Sequence, residues 1–287
     1  MKLIAKSGSN ETEWVIVEGT HLIDSALSEG INPFFQNRRD ISRSIRLGLP
    51  KAFFKKKLEQ IYFYGAGCSS PEKKGILEAS LVAQFHTPAE VESDLWAAAR
   101  GLFVENPGIA CILGSGSNSC LYDGKKVLKN VNAAGYILGD EGSFSSLGKL
   151  FLSDVLKGFA PQDIVEKFYE EYALDSNIIM KNIYDLPFPH RFLMTAADFL
   201  ANYTNNNYVH ALIMQNLRNF FIRNVCQYEY KKYPIRFVGR MAVRYADILK
   251  AVAQEFDVTI DKIQKSPMKG LVEYHAGKHI SSLIGTL

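Results

Sequence analysis

The stretch whose reading decides the fold is Leu3-Ile-Ala-Lys-Ser-Gly-Ser-Asn-Glu-Thr-Glu-Trp-Val-Ile-Val17. Two apolar runs, residues 3–5 and 14–17, flank the small polar turn Ser7-Gly-Ser-Asn10. This is a strand-turn-strand pattern. Such a turn can aim backbone N–H groups and hydroxyls at a phosphate. Lys6 stands at the head of the turn, where a carboxylate would hold a metal.

The pattern returns after a break at Asn106-Pro107-Gly108. Residues 109–113 form an apolar run that ends in Gly114-Ser-Gly-Ser-Asn118, and a hairpin follows around Asp123-Gly124. The echo predicts duplicated α/β units around a central cleft. Further strands are expected over 21–27, 61–64 and 235–238. Helices are expected over 38–47, 51–60, 71–85, 95–104, 241–256 and 268–275, with a mostly helical stretch from 143 to 228. Pro71 and Glu72 mark the start of the third of these helices. The expected domains are residues 1–106 and 107–275, the second carrying the helical insertion. A helix at about 276–287 is expected to pack back on the first.

The chain has 287 residues, of which 47% are hydrophobic and 22% charged, with a net charge of +3. These are values of a globular protein with ample core. The small charge gives no reason to expect nucleic acid or an anionic membrane as partner. No apolar run is long enough to span a bilayer and the start does not read as a signal peptide, so a cytoplasmic protein is expected. Cys68, Cys111, Cys120 and Cys226 are scattered without metal-type spacing and read as reduced thiols.

Three small-residue turns follow strands: Ser7 to Asn10, Gly114 to Asn118, and Gly239. One alone is weak evidence, whereas two in echoing positions with a third at a strand–helix junction point to a nucleotide. None has the P-loop or Rossmann spacing. Asp94 is the candidate base at a strand end, although position alone favours a helix N-cap. Gly139-Asp-Glu-Gly-Ser143 reads either as a capped helix start or as a loop whose Asp140 and Glu141 bind sugar hydroxyls. His190 and His210 read as core or surface residues, and no histidine cluster suggests a metal.

Read in order, the first turn, Glu92-Ser-Asp94-Leu-Trp-Ala-Ala-Ala99, Leu113-Gly-Ser-Gly-Ser-Asn118, Gly139-Asp-Glu-Gly-Ser143 and Phe237-Val-Gly239 resemble the N-acetylglucosamine kinase branch of the BadF/BadG/BcrA/BcrD ATPase family, within the actin-like and hexokinase-like sugar kinases. Gly30-Ile-Asn-Pro-Phe-Phe-Gln36 and Ser266-Pro-Met-Lys-Gly-Leu-Val-Glu-Tyr-His275 are similar to Bacteroides-type members. The resemblance implies an α/β fold with two ribonuclease H-like (actin-like ATPase) domains around a central cleft. It implies ATP-dependent phosphorylation of an N-acetylated amino sugar such as N-acetylglucosamine, with Asp94 as general base. Ser7, Gly8, Ser9, Asn10, Gly114, Ser115, Gly116 and Ser117 would touch the phosphates and Gly239 the adenosine. Asn32, Asn118, Asp140 and Glu141 would line the sugar. Expected partners are the sugar and ATP, with Mg²⁺ as cofactor and a homodimer as candidate assembly.

The departures are equally specific. The family's first turn carries Asp where this chain has Lys6, and Lys where it has Glu11; its adenosine turn has Ser where this chain has Arg240. A cation cannot ligate Mg²⁺. A sugar or nucleotide sensor that lost Mg-ATP turnover is therefore the alternative reading. A dehydratase-activating ATPase with a cysteine-held iron–sulfur cluster is a third.

Overall fold

A computed structural model describes residues 1–19, 21–186 and 189–276. The expected helix at 276–287 lies almost wholly outside the described residues. The described residues divide into two compact units, one of residues 1–107, 122–127 and 266–276, the other of residues 108–121 and 128–265.

In the first unit, β1 (Lys2–Ser7), β2 (Glu11–Glu18), β3 (His21–Glu29), β4 (Gln60–Gly65) and β5 (Ala89–Ser93) form one sheet in the order β3-β2-β1-β4-β5. β2 is antiparallel to β1 and β3, while β1, β4 and β5 run parallel. Side chains alternate along β1: Leu3 and Ala5 enter one core with Trp14, Ile16 and Phe63, while Ile4 enters another with Val15, Val17 and Tyr64. A sheet buried on both faces explains the continuous apolar runs seen in the sequence.

The helices of this unit start as their sequences dictate. Asn37 caps α1 (Arg38–Gly48) by accepting from the Arg39 and Asp40 N–H groups. Ser70 caps α2 (Pro71–Phe85) by accepting from Lys73 N–H, and Pro71 fills the first turn. The helix expected over 51–60 is absent. Only the 3-10 turn Phe53–Lys55 forms, and Lys56 is already extended. Three adjacent lysines disfavour another turn, and the chain must straighten so that Glu59 N–H can reach the Met1 carbonyl and lead into β4.

α3 (Asp94–Phe103) packs on the terminal helix Met268–Ala276. That helix therefore belongs to the first unit, whereas the sequence reading placed residues up to 275 in the second. His275 is the anchor. Its Nε2 lies 2.7 Å from Tyr64 Oη, its ring stacks on Tyr62 at 3.6 Å, and Arg100 donates to Tyr64 Oη at 2.8 Å. Burial, then the positive charges of Arg100 and Lys2, lowers its pKa to about 3. The unfolded imidazole titrates near 6.5, so between these values the unfolded chain binds the extra proton. Stability is thus held above the unfolded pKa and lost as pH falls below it, by up to about 1.4 kcal/mol per pH unit. Urea unfolding at pH 7 and pH 5 should show this loss, and His275→Gln should flatten it.

In the second unit, β6 (Gly108–Leu113), β7 (Ser117–Tyr122), β8 (Val127–Val131), β9 (Ile235–Val238) and β10 (Ile260–Gln264) have the order β10-β9-β6-β7-β8. With strands counted from each unit's own start, both sheets read 3-2-1-4-5. The fold is α/β with two ribonuclease H-like units. α4 (Gly135–Leu138), α5 (Phe144–Lys157), α6 (Gln162–Tyr172), α7 (Ser176–Tyr184), α8 (Pro189–Leu200) and α9 (Asn207–Arg223) intervene between β8 and β9. The single helix expected over 241–256 is two, α10 (Arg240–Arg244) and α11 (Ala246–Gln254), broken at Tyr245 with ψ 35°. β10 was not anticipated, because its Ile-Asp-Lys-Ile-Gln sequence offers little apolar surface and it lies at a sheet edge.

Candidate functional site

The first unit assembles its part at the ends of its parallel strands. Ser7, Gly65 and Ser93 finish side by side in register. The turn after β1, the loop after β4 and the start of α3 therefore open at one edge, where α/β sheets bind ligands.

Asp94 is not the N-cap. Ser93 remains paired in β5 with extended backbone and occupies the cap position, without a side-chain cap bond; Asp94 is the first helical residue. Its carboxylate stands at the positive end of the helix dipole. Burial raises its pKa, and the charge of Lys6 opposes that rise.

Ser7 differs from expectation in what its hydroxyl does. The residue is fully buried. Its Oγ lies 2.8 Å from Thr12 Oγ1, accepts the Ile31 N–H at 2.8 Å and lies 2.9 Å from the Ile31 carbonyl. It locks the turn from beneath. Gly8, Ser9 and Asn10 remain at least partly open to solvent. Gly30 is packed so closely that a Cβ there would lie 2.7 Å from the Gly8 carbonyl oxygen.

Asn32 accepts Phe34 N–H on Oδ1 at 2.9 Å and donates its own N–H to Gln36 Oε1 at 2.8 Å. Gly67 has φ +78°, and a Cβ there would fall 2.0 Å from Asn32 Oδ1. The Gly67 loop and Asn32 are thus fitted to each other. The Lys74–Glu92 pair at 2.5 Å was missed in the sequence, because ion pairing between a helix and a strand leaves no local pattern.

The second unit brings together three motifs far apart in sequence. The Gly114–Ser117 turn is fixed by the Phe144 N–H to the Gly114 carbonyl at 2.9 Å and by Ser145 Oγ to the Ser115 carbonyl at 2.7 Å. Asp140, with φ +56°, accepts Ser117 N–H on Oδ1 at 3.1 Å. A Cβ at Gly239, φ +127°, would strike the Leu113 carbonyl oxygen at 2.2 Å, so only glycine lets β9 end against this turn.

Asp140 therefore shapes the second glycine turn. Glu141 is half-buried and pairs with Arg223 at 3.4 Å. Asn118 Oδ1 accepts from Ser119 N–H and Asn130 Nδ2, both at 2.9 Å. Ser143 caps α5 through Ser146 N–H at 3.0 Å, as one sequence reading expected. Asn216 was missed: it is fully buried and bridges Gly142 N–H and the Ser143 carbonyl, each at 3.0 Å. Its only signal is a polar residue on the apolar face of α9. Cys111 and Cys120 are fully buried in strands, and burial pushes the Cys120 thiol up to about 12.

No protein-family model matches the chain, and no curated protein matches it. Solved structures do. One described as a "putative N-acetylglucosamine kinase" from Porphyromonas gingivalis is 39% identical over 98% of this chain and 100% of its own, with a TM-score of 0.91. A second so described, from Chromobacterium violaceum, shares the fold at 15% identity over 95% of this chain and 98% of its own, with a TM-score of 0.75. A ROK family glucokinase from Streptomyces griseus, in complex with glucose and AMPPNP, shares it at 11% identity over 96% and 97%, with a TM-score of 0.56. With 39% identity over 98% of its length and a TM-score of 0.91, the chain belongs to the N-acetylglucosamine kinase-like members of the actin-like sugar kinase family.

Proposed function

We propose that this protein is a sugar kinase that uses ATP to phosphorylate an N-acetylated amino sugar such as N-acetylglucosamine. The observation that carries the reading is Asp94, which stands at the strand-end edge in a chain similar throughout to a protein described as a "putative N-acetylglucosamine kinase". Asp94 is the general base. Its burial-raised pKa suits a carboxylate that must take a proton near neutrality. The sugar hydroxyl oxygen attacks the γ-phosphorus, its proton passes to Asp94, and ADP leaves with the bridging oxygen. Gly8, Ser9, Asn10 and Gly114 to Ser117 contact phosphate, with Ser7 and Asp140 holding the two turns in shape. Gly239 faces the adenosine, and Asn32, Asn118 and Glu141 serve the sugar.

The residues do not fit a Mg²⁺ held by the first turn. Magnesium prefers carboxylate oxygens and water in octahedral array. The turn offers the ammonium of Lys6 where a carboxylate would be needed.

Transfer of labelled γ-phosphate to a panel of free and N-acetylated hexosamines tests the proposal. Product with at least one N-acetylated sugar is expected. Sugar binding without any product would sink it. Lys6 favours a second reading, a sensor that binds without turnover; there, Lys6→Asp should create activity the parent lacks.

A further inference from the structure

The geometry points to Lys6 as the cation of the nucleotide site, so that the first turn takes the phosphates of metal-free nucleotide. This rests on the proposed placement of phosphate at residues 7–10.

Lys6 sits on β1 opposite Glu13 of β2 and Tyr64 of β4. By strand alternation it shares the sheet face of Ile4, under α3. Its ammonium turns up to the loop: Nζ lies 3.4 Å from where a Cβ on Gly8 would be. The residue is half-buried.

Among the described residues no carboxylate forms a salt bridge with this ammonium, although Asp94 is close enough to feel its charge. Burial raises the pKa of that carboxyl. Glu13 accepts from Ser266 Oγ at 2.6 Å. Glu11 is exposed to solvent. Among the described residues Lys6 forms no salt bridge, whereas Glu92, two strands away, is paired with Lys74. A half-buried cation without a salt-bridge partner is costly unless an anion joins it. The turn above it presents backbone suited to one. A bound divalent ion would face that same positive charge, so Lys6 should supply what a metal supplies elsewhere and disfavour the metal itself.

Calorimetric titration of the full chain with ATP, in EDTA and in excess Mg²⁺, tests this. Wild type should bind ATP in EDTA at least as tightly as with Mg²⁺. Lys6→Met, which keeps the aliphatic stem, should weaken binding in EDTA about tenfold or more, the equivalent of about 1.4 kcal/mol. Lys6→Arg should restore most of it. The proposal is overturned if wild type binds only Mg-ATP, if Lys6→Met binds metal-free ATP unchanged, or if no ATP binds in either buffer. Should Lys6→Met fail to fold, Lys6→Arg and the salt dependence of wild-type binding in EDTA decide, because an ammonium–phosphate contact weakens with salt. Metal-free binding with no sugar phosphorylated would leave this inference standing and remove the kinase reading.

Discussion

Asp94→Asn should lower phosphoryl transfer by about 10²- to 10⁴-fold while ATP and sugar still bind. Asparagine keeps the size of the side chain, but it cannot take the hydroxyl proton. Removing a carboxylate that burial already disfavours costs the fold little. The expected pattern is a fall in kcat with KM and melting temperature nearly unchanged. A fall of less than about fivefold, or an equal rise in KM, would show that Asp94 is not the base. Because Lys6 opposes the burial-driven rise of Asp94, Lys6→Met should also move the acidic limb of the pH–rate profile upward. A nucleotide-binding role for Lys6 alone would leave that limb in place.

Gly270→Ala should be among the most destabilising single-methyl changes in the first unit, by about 3 kcal/mol. A Cβ at Gly270 would lie 1.9 Å from the Gly101 carbonyl oxygen, and one at Gly101 2.5 Å from Pro267. Backbone meets backbone here, so no side chain can swing aside. The terminal helix would be pushed off α3, straining the Tyr64–His275 contact and the helix that begins at Asp94. Gly75→Ala is the matched control. Gly75 is also helical, exposed and open, with nothing within 4 Å of a Cβ, so alanine there should stabilise by about 0.5–1 kcal/mol. Urea unfolding of the two variants should give shifts of opposite sign. Equal shifts would mean that the helices separate without cost.

The paired glycine turns carried most of the fold in the sequence, because strand, turn, strand is a local pattern and it occurs twice. Runs such as residues 14–17 and 109–113 are apolar on both faces, as a central strand requires. Local signals also placed α1 and α2, whose Asn37 and Ser70 caps are written beside the helices they start. The signal failed where a partner elsewhere decides the outcome. Residues 51–60 are helix-compatible alone, but the pull into β4 leaves one 3-10 turn. β10 forms because β9 offers it an edge.

At the candidate site, residue types at strand ends were legible and their duties were not. Sequence alone set Asp94, Lys6 and the two polar turns in order along the chain, together with the exchange of a carboxylate for an ammonium at position 6. Tertiary structure decided that Ser93, not Asp94, holds the cap position, that the Ser7 hydroxyl is spent on Thr12 and Ile31, and that Asp140 grips Ser117 N–H. It also returned the terminal helix to the first unit through His275 and Gly270. The reason is physical: propensity and capping act within a few residues, whereas a buried hydroxyl or carboxylate must satisfy itself with whatever the fold brings within about 3 Å.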